Sequence, residues 1–195
     1  MNLPNKLSLI RICLIPVFVL FFFLTALPYN YVYAAVVFAV AAVTDFLDGR
    51  IARKRGMVTN LGKFLDPIAD KVLVATAFVL MLTKYEIFGL FGHGFYVAGA
   101  VCVCLILARE LIISAFRQIA AANGVVLAAD MLGKLKTNAQ DYCVVALIAS
   151  ASFAGTAQQV ISVIGLVLFA AAVILTVISG VSYIVKNPAV LKTKK

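Results

Sequence analysis

Apolar residues cluster in six segments that are separated by short polar stretches. The segments cover about residues 7–27, 31–43, 72–83, 95–108, 142–157 and 160–185. A helix needs roughly 20 apolar residues to cross a bilayer, and only the last segment reaches that length without a charged residue. The pattern predicts six transmembrane helices, in which polar residues at one end complete the four middle ones.

The polar ends of the middle helices indicate how the chain crosses the membrane. We expect the second helix to continue to Arg53, the third to begin near Leu61, the fourth to extend to Phe116 and the fifth to begin near Lys134. If the helices alternate in direction, all of these ends lie on one side, together with both termini. Of the 17 Lys and Arg residues, all except Lys84 then lie on that side, which the positive-inside rule makes cytosolic.

Composition supports this interpretation. The 195 residues are 64% hydrophobic and 13% charged, with a mean hydropathy of +1.09, whereas soluble domains are roughly 45–50% apolar and about 25% charged. We predict an all-α integral membrane protein with residues 1–195 as a single domain in the cytoplasmic membrane. The net charge of +9 requires no nucleic acid, because a basic inner face also attracts anionic lipid headgroups.

Two groups of residues are interpreted as structural. The four cysteines, at positions 13, 102, 104 and 143, lie in apolar segments and are interpreted as core thiols, not as disulfides or a metal site. Lys6 and Arg11, near the start of the first helix, are interpreted as topology signals.

Four aspartates occur where the second helix ends and the third begins, in the stretch TDFLDGRIARKRGMVTNLGKFLDPIADK. Asp45 and Asp48 are three residues apart, and Asp66 and Asp70 are four apart, so each pair occupies one helix face. Two adjacent helices can therefore present four carboxylates to one another. Ionised groups within a membrane are costly, so the cluster predicts cations among these acids.

Divalent metal ions explain the four carboxylates best. A cluster of oxygen ligands without His or Cys suits a hard ion such as Mg²⁺ or Mn²⁺, and two such ions would balance four charges. The structural alternative is ion pairing, in which Arg53 or Lys71 neutralises one or two of the acids. Buried ion pairs are poor stabilisers, so this alternative is disfavoured.

Basic residues gather at the same predicted level of the membrane and, together with metal ions, indicate a substrate that bears phosphate. They are Arg53, Lys63, Arg109, Arg117, Lys134 and Lys136. Arg109 and Arg117 are eight residues apart and project to similar sides of the fourth helix, where Glu110 orients or neutralises one of them. Lys134 and Lys136 open the fifth helix, where the helix dipole disfavours cations, which favours a bound anion there. Positive-inside placement is the alternative for these two lysines.

The aspartates belong to a longer pattern, D-x-x-D-G-x-x-A-R followed after eight residues by G-x-x-x-D-x-x-x-D. Its fixed positions are Asp45, Asp48, Gly49, Ala52, Arg53, Gly62, Asp66 and Asp70. The pattern resembles the signature of the CDP-alcohol phosphotransferases, and every fixed position matches. The stretches MNLPNKLSLIRICLIP, FLDPIADKVLV, ARELIISAFR and GKLKTNAQ are similar to the bacterial phosphatidylglycerophosphate synthases of that family. The resemblance thus covers nearly the whole chain.

The resemblance implies a reaction. A hydroxyl of sn-glycerol 3-phosphate would attack the β-phosphorus of CDP-diacylglycerol, releasing CMP and leaving phosphatidylglycerophosphate in the membrane. It also implies a polar active-site cavity at the cytosolic interface, two Mg²⁺ or Mn²⁺ ions and a core of six helices. A homodimer is a family expectation, and Gly165 and Gly180 in the sixth helix predict close packing against neighbouring helices or a second subunit.

The resemblance also implies roles for individual residues. Asp45, Asp48, Asp66 and Asp70 would be metal ligands, and Asp70 would also be the general base. CDP-diacylglycerol would be bound by Thr44, Asp48, Gly49, Ala52, Arg53 and Gly62. The acceptor phosphate would be bound by Arg109, Arg117, Lys134 and Lys136.

Two alternatives stay open at this point. The first is a related enzyme with another acceptor, such as inositol phosphate, serine or phosphatidylglycerol. The second is a cation transporter that uses the aspartates as a transit site. The nearly uncharged outer halves of the helices disfavour a transporter, because a transit path needs polar residues across the whole bilayer.

Overall fold

A computed structural model describes the backbone of residues 3–55, 60–122 and 131–191, and the side chains of residues 8–44, 68–69, 71–121, 131–188 and 190. The described chain consists of helices and the turns that join them. They are α1 (Leu3–Phe23), α2 (Asn30–Arg55), α3 (Asn60–Leu82), α4 (Tyr85–Phe88), α5 (His93–Ala122), α6 (Met131–Ser150) and α7 (Gly155–Lys186), with 3₁₀ turns at Gly89–Phe91 and Pro188–Leu191. The six long helices α1, α2, α3, α5, α6 and α7 correspond to the six predicted from the sequence.

The polar completions of the middle helices are confirmed. Helix α2 continues to Arg55, α3 begins at Asn60, α5 extends to Ala122 and α6 begins at Met131. Helix α4 and the 3₁₀ turn after it were not predicted. They bend away from α3 by 92°, and Ile87 and Phe88 are buried there, so apolar packing folds this segment against the bundle.

Three turns meet at one end of the bundle, which we call the turn end and define as residues 24–29, 83–92 and 151–154. The Val32 amide donates to Ser152 Oγ at 3.1 Å, and Lys84 Nζ lies 5.8 Å from the centre of the Tyr31 ring. The rings of Tyr29 and Phe153 are 6.2 Å apart. The long helices therefore alternate in direction, as the sequence predicts, and the polar ends of α2, α3, α5 and α6 lie at the opposite end.

The largest apolar core joins α1, α2, α3, α5, α6 and α7. Phe18 packs against Phe38, with ring centres 5.8 Å apart, and Phe169 packs against Phe78 and Phe88 at 6.0 and 5.0 Å. A smaller core of Ile113, Phe116, Ala120, Tyr183 and Val190 lies between α5 and the end of α7. The two cores hold α5 against α7 on both sides of the polar residues described below.

Two helices in the described part of the chain have the length and apolar composition to cross a membrane, His93–Ala121 and Gly155–Lys186. A third candidate is the bent pair Lys71–Leu82 with Tyr85–Phe91, and Ser8–Phe23 and Asn30–Thr44 are shorter apolar helices. These helices agree with a membrane protein. Six complete spans and the orientation of the termini stay predictions.

The cysteine interpretation is wrong for two residues. Cys143 is fully buried and Cys102 is partly buried, but Cys13 and Cys104 are exposed. Cys102 and Cys104 are 200° apart on a helix of 3.6 residues per turn, so one faces the bundle and the other faces away. All four are free thiols.

Candidate functional site

The signature residues lie on two helices that contact each other. Helix α2 is continuous through Asp45, Asp48 and Arg53, and α3 is continuous through Asp66 and Asp70. Each aspartate pair therefore has the helical spacing that the sequence predicts. The side chains of Asp45, Asp48, Ala52, Arg53, Asp66 and Asp70, and the surroundings of Gly49 and Gly62, lie outside what the structure describes. Among the described side chains, no group of three or more His, Cys, Asp or Glu is placed to hold a metal ion.

Among the residues predicted to bind CDP-diacylglycerol, Thr44 is the one whose side chain is described. It is partly exposed, and its hydroxyl donates to the carbonyl of Val40, 2.7 Å away, in the preceding turn of α2. The Thr44 hydroxyl therefore donates its hydrogen within the helix, while its oxygen can still accept a hydrogen bond from a ligand.

Arg109 of α5 and Lys136 of α6 meet at Glu110. Arg109 Nη1 lies 3.2 Å from Glu110 Oε1, and Lys136 Nζ contacts the same oxygen. The side chains are largely shielded, with exposed fractions of 17% for Arg109, 19% for Glu110 and 6% for Lys136. The structure thus brings together two of the four predicted acceptor-phosphate residues, and it confirms that Glu110 contacts Arg109.

Lys71 joins this group from α3. Its Nζ donates to Ser114 Oγ, and Ser114 Oγ donates to the backbone carbonyl of Glu110. Lys71 is the residue after Asp70. The turn of α3 that carries Asp70 therefore lies beside the turn of α5 that carries Glu110. We call Lys71, Arg109, Glu110 and Lys136 the Glu110 cluster.

Helix α7 positions Arg109. Ser179 Oγ accepts a hydrogen bond from Arg109 Nη2 at 2.9 Å, and Ser179 is buried. A Cβ atom at Gly180 would lie 3.1 Å from Arg109 Cγ and 3.2 Å from Arg109 Nε. The absence of a side chain at Gly180 thus lets the arginine lie against the α7 backbone, which confirms the close packing predicted for this glycine.

Arg117 and Lys134 lie apart from the Glu110 cluster. Arg117 Nε donates to the Tyr183 hydroxyl at 3.1 Å, and its guanidinium lies 5.1 Å from the centre of the same ring. Since Ser179 and Tyr183 are four residues apart on α7, both arginines face that helix, in agreement with the predicted common side. Lys134 is exposed and forms no hydrogen bond or ion pair with the described residues.

Sequence reasoning missed several residues around these cations. The sequence does not indicate that the cations contact Ser114, Ser179 and Tyr183, because a single polar residue in an apolar helix does not reveal its partner. Arg11 is interpreted from the sequence as a topology signal. Arg11 is fully buried in α1, whereas a topology signal at the membrane surface does not need to be buried. A buried arginine has to be balanced by acceptors or acids, and α1 packs against both α2 and α3.

Comparisons with known proteins identify the family of the chain. The family model described as CDP-alcohol phosphatidyltransferase matches residues 1–181. A protein of Bacillus subtilis (strain 168) is 37% identical over 98% of both chains. One of Escherichia coli (strain K12) is 40% identical over 94% of this chain and 93% of its own, and one of Rickettsia bellii is 36% identical over 93% of each. All three are named CDP-diacylglycerol–glycerol-3-phosphate 3-phosphatidyltransferase.

The chain belongs to the CDP-alcohol phosphatidyltransferase family. The matched region contains both aspartate pairs and the Glu110 cluster, and ends at Val181 in the last turns of α7. The cation-transporter alternative is therefore not favoured.

Proposed function

We propose that this protein transfers the phosphatidyl group of CDP-diacylglycerol to sn-glycerol 3-phosphate, giving phosphatidylglycerophosphate and CMP. The names of its full-length relatives support both substrates. The geometry adds one observation that carries the acceptor assignment. Arg109 and Lys136 converge on a single carboxylate oxygen, next to the turn of α3 that carries Asp70. Two convergent cations are an arrangement suited to an anionic phosphate group.

The reaction is a substitution at phosphorus. The acceptor hydroxyl attacks the β-phosphorus of CDP-diacylglycerol, the bond from that phosphorus to the bridging oxygen breaks, and CMP leaves with this oxygen. Asp70 is proposed to take the hydroxyl proton. Arg53 is proposed to bind the pyrophosphate of the donor, because its guanidinium can form two parallel bonds to phosphate oxygens. Thr44, Asp48, Gly49, Ala52 and Gly62 complete the proposed donor site.

The four aspartates form a set of ligands that is suited to divalent metal ions. Asp45, Asp48, Asp66 and Asp70 supply only oxygen ligands from two contacting helices, which matches the preference of Mg²⁺ or Mn²⁺. When bound, one or two such ions would neutralise the pyrophosphate and make its phosphorus more electrophilic.

The acceptor site is proposed to consist of Arg109 and Lys136, with Arg117 and Lys134 as outlying cations. The Tyr183 hydroxyl and ring hold Arg117 on the same side of α5 as Arg109. An acceptor with its own phosphate needs such cations, whereas serine does not.

We further propose that the site faces the cytosol from the cytoplasmic membrane, that both termini lie on that side, and that the protein forms a homodimer.

A direct assay tests the proposed reaction. Purified protein in detergent is incubated with CDP-diacylglycerol, radiolabelled sn-glycerol 3-phosphate and Mg²⁺, with and without a chelator. We expect label to enter the lipid phase together with CMP release, and the chelator to abolish both. Asp70→Asn should lose at least about 100-fold in rate, the lower range for a general base. Glu86→Gln, an exposed acid at the turn end, is the matched control and should keep its activity.

Two results would contradict the proposal. If CMP is released only with an acceptor other than glycerol 3-phosphate, the acceptor assignment is wrong. If Asp70→Asn remains as active as Glu86→Gln, Asp70 is neither base nor essential ligand.

A further inference from the structure

The cations proposed to bind the acceptor phosphate are already paired with an anion of the protein. Both Arg109 and Lys136 contact Glu110 Oε1, and none of the described side chains donates to Glu110 Oε2. Glu110 therefore occupies the position between the two cations that a phosphate oxygen would take. Its carboxylate and the acceptor phosphate would compete for the same donors.

The charges of the Glu110 cluster match this competition. Lys71, Arg109 and Lys136 carry three positive charges and Glu110 one negative charge, which leaves a charge of 3 − 1 = +2 on these four side chains. A phosphate monoester is a dianion near neutral pH and would balance that charge. Without Glu110, Arg109 and Lys136 would lose the carboxylate that both of them contact, and their positive charges would repel each other more strongly.

We propose that Glu110 is an internal counter-anion of the acceptor site. It pairs with Arg109 and Lys136 when the site is empty and yields them when the phosphate of the acceptor binds. This inference rests on the proposed function and adds a positioning residue to it. Because the acceptor reacts through its hydroxyl, its phosphate remains on the product lipid. Glu110 therefore also competes with the product for these cations and promotes its release.

Glu110→Gln tests the role of the charge, because glutamine keeps the shape and an acceptor oxygen. We expect the KM for glycerol 3-phosphate and the inhibition constant of inorganic phosphate to fall roughly two- to fivefold, the size of one partly exposed ion pair. We expect kcat to fall as well, because the product leaves more slowly, while the KM for CDP-diacylglycerol stays constant. Glu110→Asp retains the charge and should show smaller changes in the same constants.

A purely structural role of Glu110 predicts the opposite. If the carboxylate only holds Arg109 and Lys136 in place, glutamine should raise the KM for glycerol 3-phosphate. An unchanged or raised KM in Glu110→Gln would overturn the proposal.

The wild-type protein offers a second measurement that does not depend on the variant folding. The sequence contains only two glutamates, Glu86 and Glu110. Protein labelled with ¹³C at the glutamate side-chain carboxyl should therefore give two carboxyl signals in NMR spectra, and Glu86→Gln assigns them. Glu86 is exposed at the turn end and is the internal control. We expect inorganic phosphate to shift the Glu110 signal in a saturable manner and to leave Glu86 unchanged.

The two measurements separate this inference from the proposed function. A Glu110 signal that does not respond to phosphate, in protein that incorporates glycerol 3-phosphate, would refute the counter-anion and leave the function intact. A saturable shift in protein that does not use glycerol 3-phosphate would support the phosphate site and refute the proposed acceptor.

Discussion

Two buried serines on α7 differ in one respect that matters for the site. Ser179 Oγ accepts a bond from Arg109, whereas Ser162 Oγ has no hydrogen-bond partner among the described residues. Both side chains are almost fully shielded, with exposed fractions of 2% and 1%. The pair therefore separates the effect of holding Arg109 from the effect of deleting a buried hydroxyl on the same helix.

Ser179→Ala should weaken binding of the acceptor. Without its partner, Arg109 is less well held, and we expect the KM for glycerol 3-phosphate to rise roughly three- to tenfold, the value of one hydrogen bond, with little change in kcat. Ser162→Ala should leave the KM unchanged. Steady-state kinetics with varied acceptor check both variants, and equal effects in the two would show that Ser179 acts only through packing.

The sequence predicted the contacts of single residues only where spacing constrains them. Glu110 is adjacent to Arg109, so their ion pair could be expected. The approach of Lys71 to Ser114 joins helices α3 and α5, and it depends on the rotation of each helix in the bundle. Hydrophobicity does not fix that rotation, because the faces turned to lipid and to the core are both apolar. The same ambiguity explains the error at Cys13 and Cys104.

Helices α6 and α7 approach closely at Gly165. A Cβ atom there would lie 2.7 Å from Leu147 Cδ2 and 3.2 Å from the Leu147 backbone nitrogen. Both atoms belong to Leu147 of α6, so this glycine packs within the chain. The long helices could be predicted because short polar stretches separate their apolar segments, and polar residues at one end complete the four middle ones. Helix α4 could not, since its four residues give no periodic signal.

Gly165→Ala should destabilise the protein. The added methyl group would force Leu147 or the helix backbone to move, and overpacking of this kind costs about 1–3 kcal/mol. Gly94→Ala is the control, because a Cβ at Gly94 meets nothing within 4 Å. Heating in detergent followed by size-exclusion chromatography measures the fraction of protein that stays monodisperse. Equal thermal stability of the two variants would contradict the close packing of α6 and α7.

For the whole molecule, the alternating helices predict which end faces the cytosol. The turn end carries Lys84 and Glu86, while Lys186 lies at the opposite end of α7. Since the positive-inside rule places the basic end in the cytosol, residues 86 and 186 should lie on opposite sides of the membrane.

Cysteine labelling checks this orientation. In a variant whose four native cysteines are replaced by alanine, Glu86→Cys should react with an impermeant maleimide in intact cells. Lys186→Cys should react only after the membrane is opened. The reverse pattern would place the proposed site on the outer face, where cytosolic glycerol 3-phosphate could not reach it.

The choice of acceptor is the sharpest test of the proposed function. Purified protein would receive CDP-diacylglycerol, Mg²⁺ and an equimolar mixture of sn-glycerol 3-phosphate, inositol phosphate, serine and phosphatidylglycerol. Mass spectrometry of the extracted lipid identifies the product. We predict phosphatidylglycerophosphate as the dominant new lipid, in amounts equal to the CMP released. A dominant product from any of the other three acceptors would contradict the assignment of Arg109 and Lys136 to glycerol 3-phosphate.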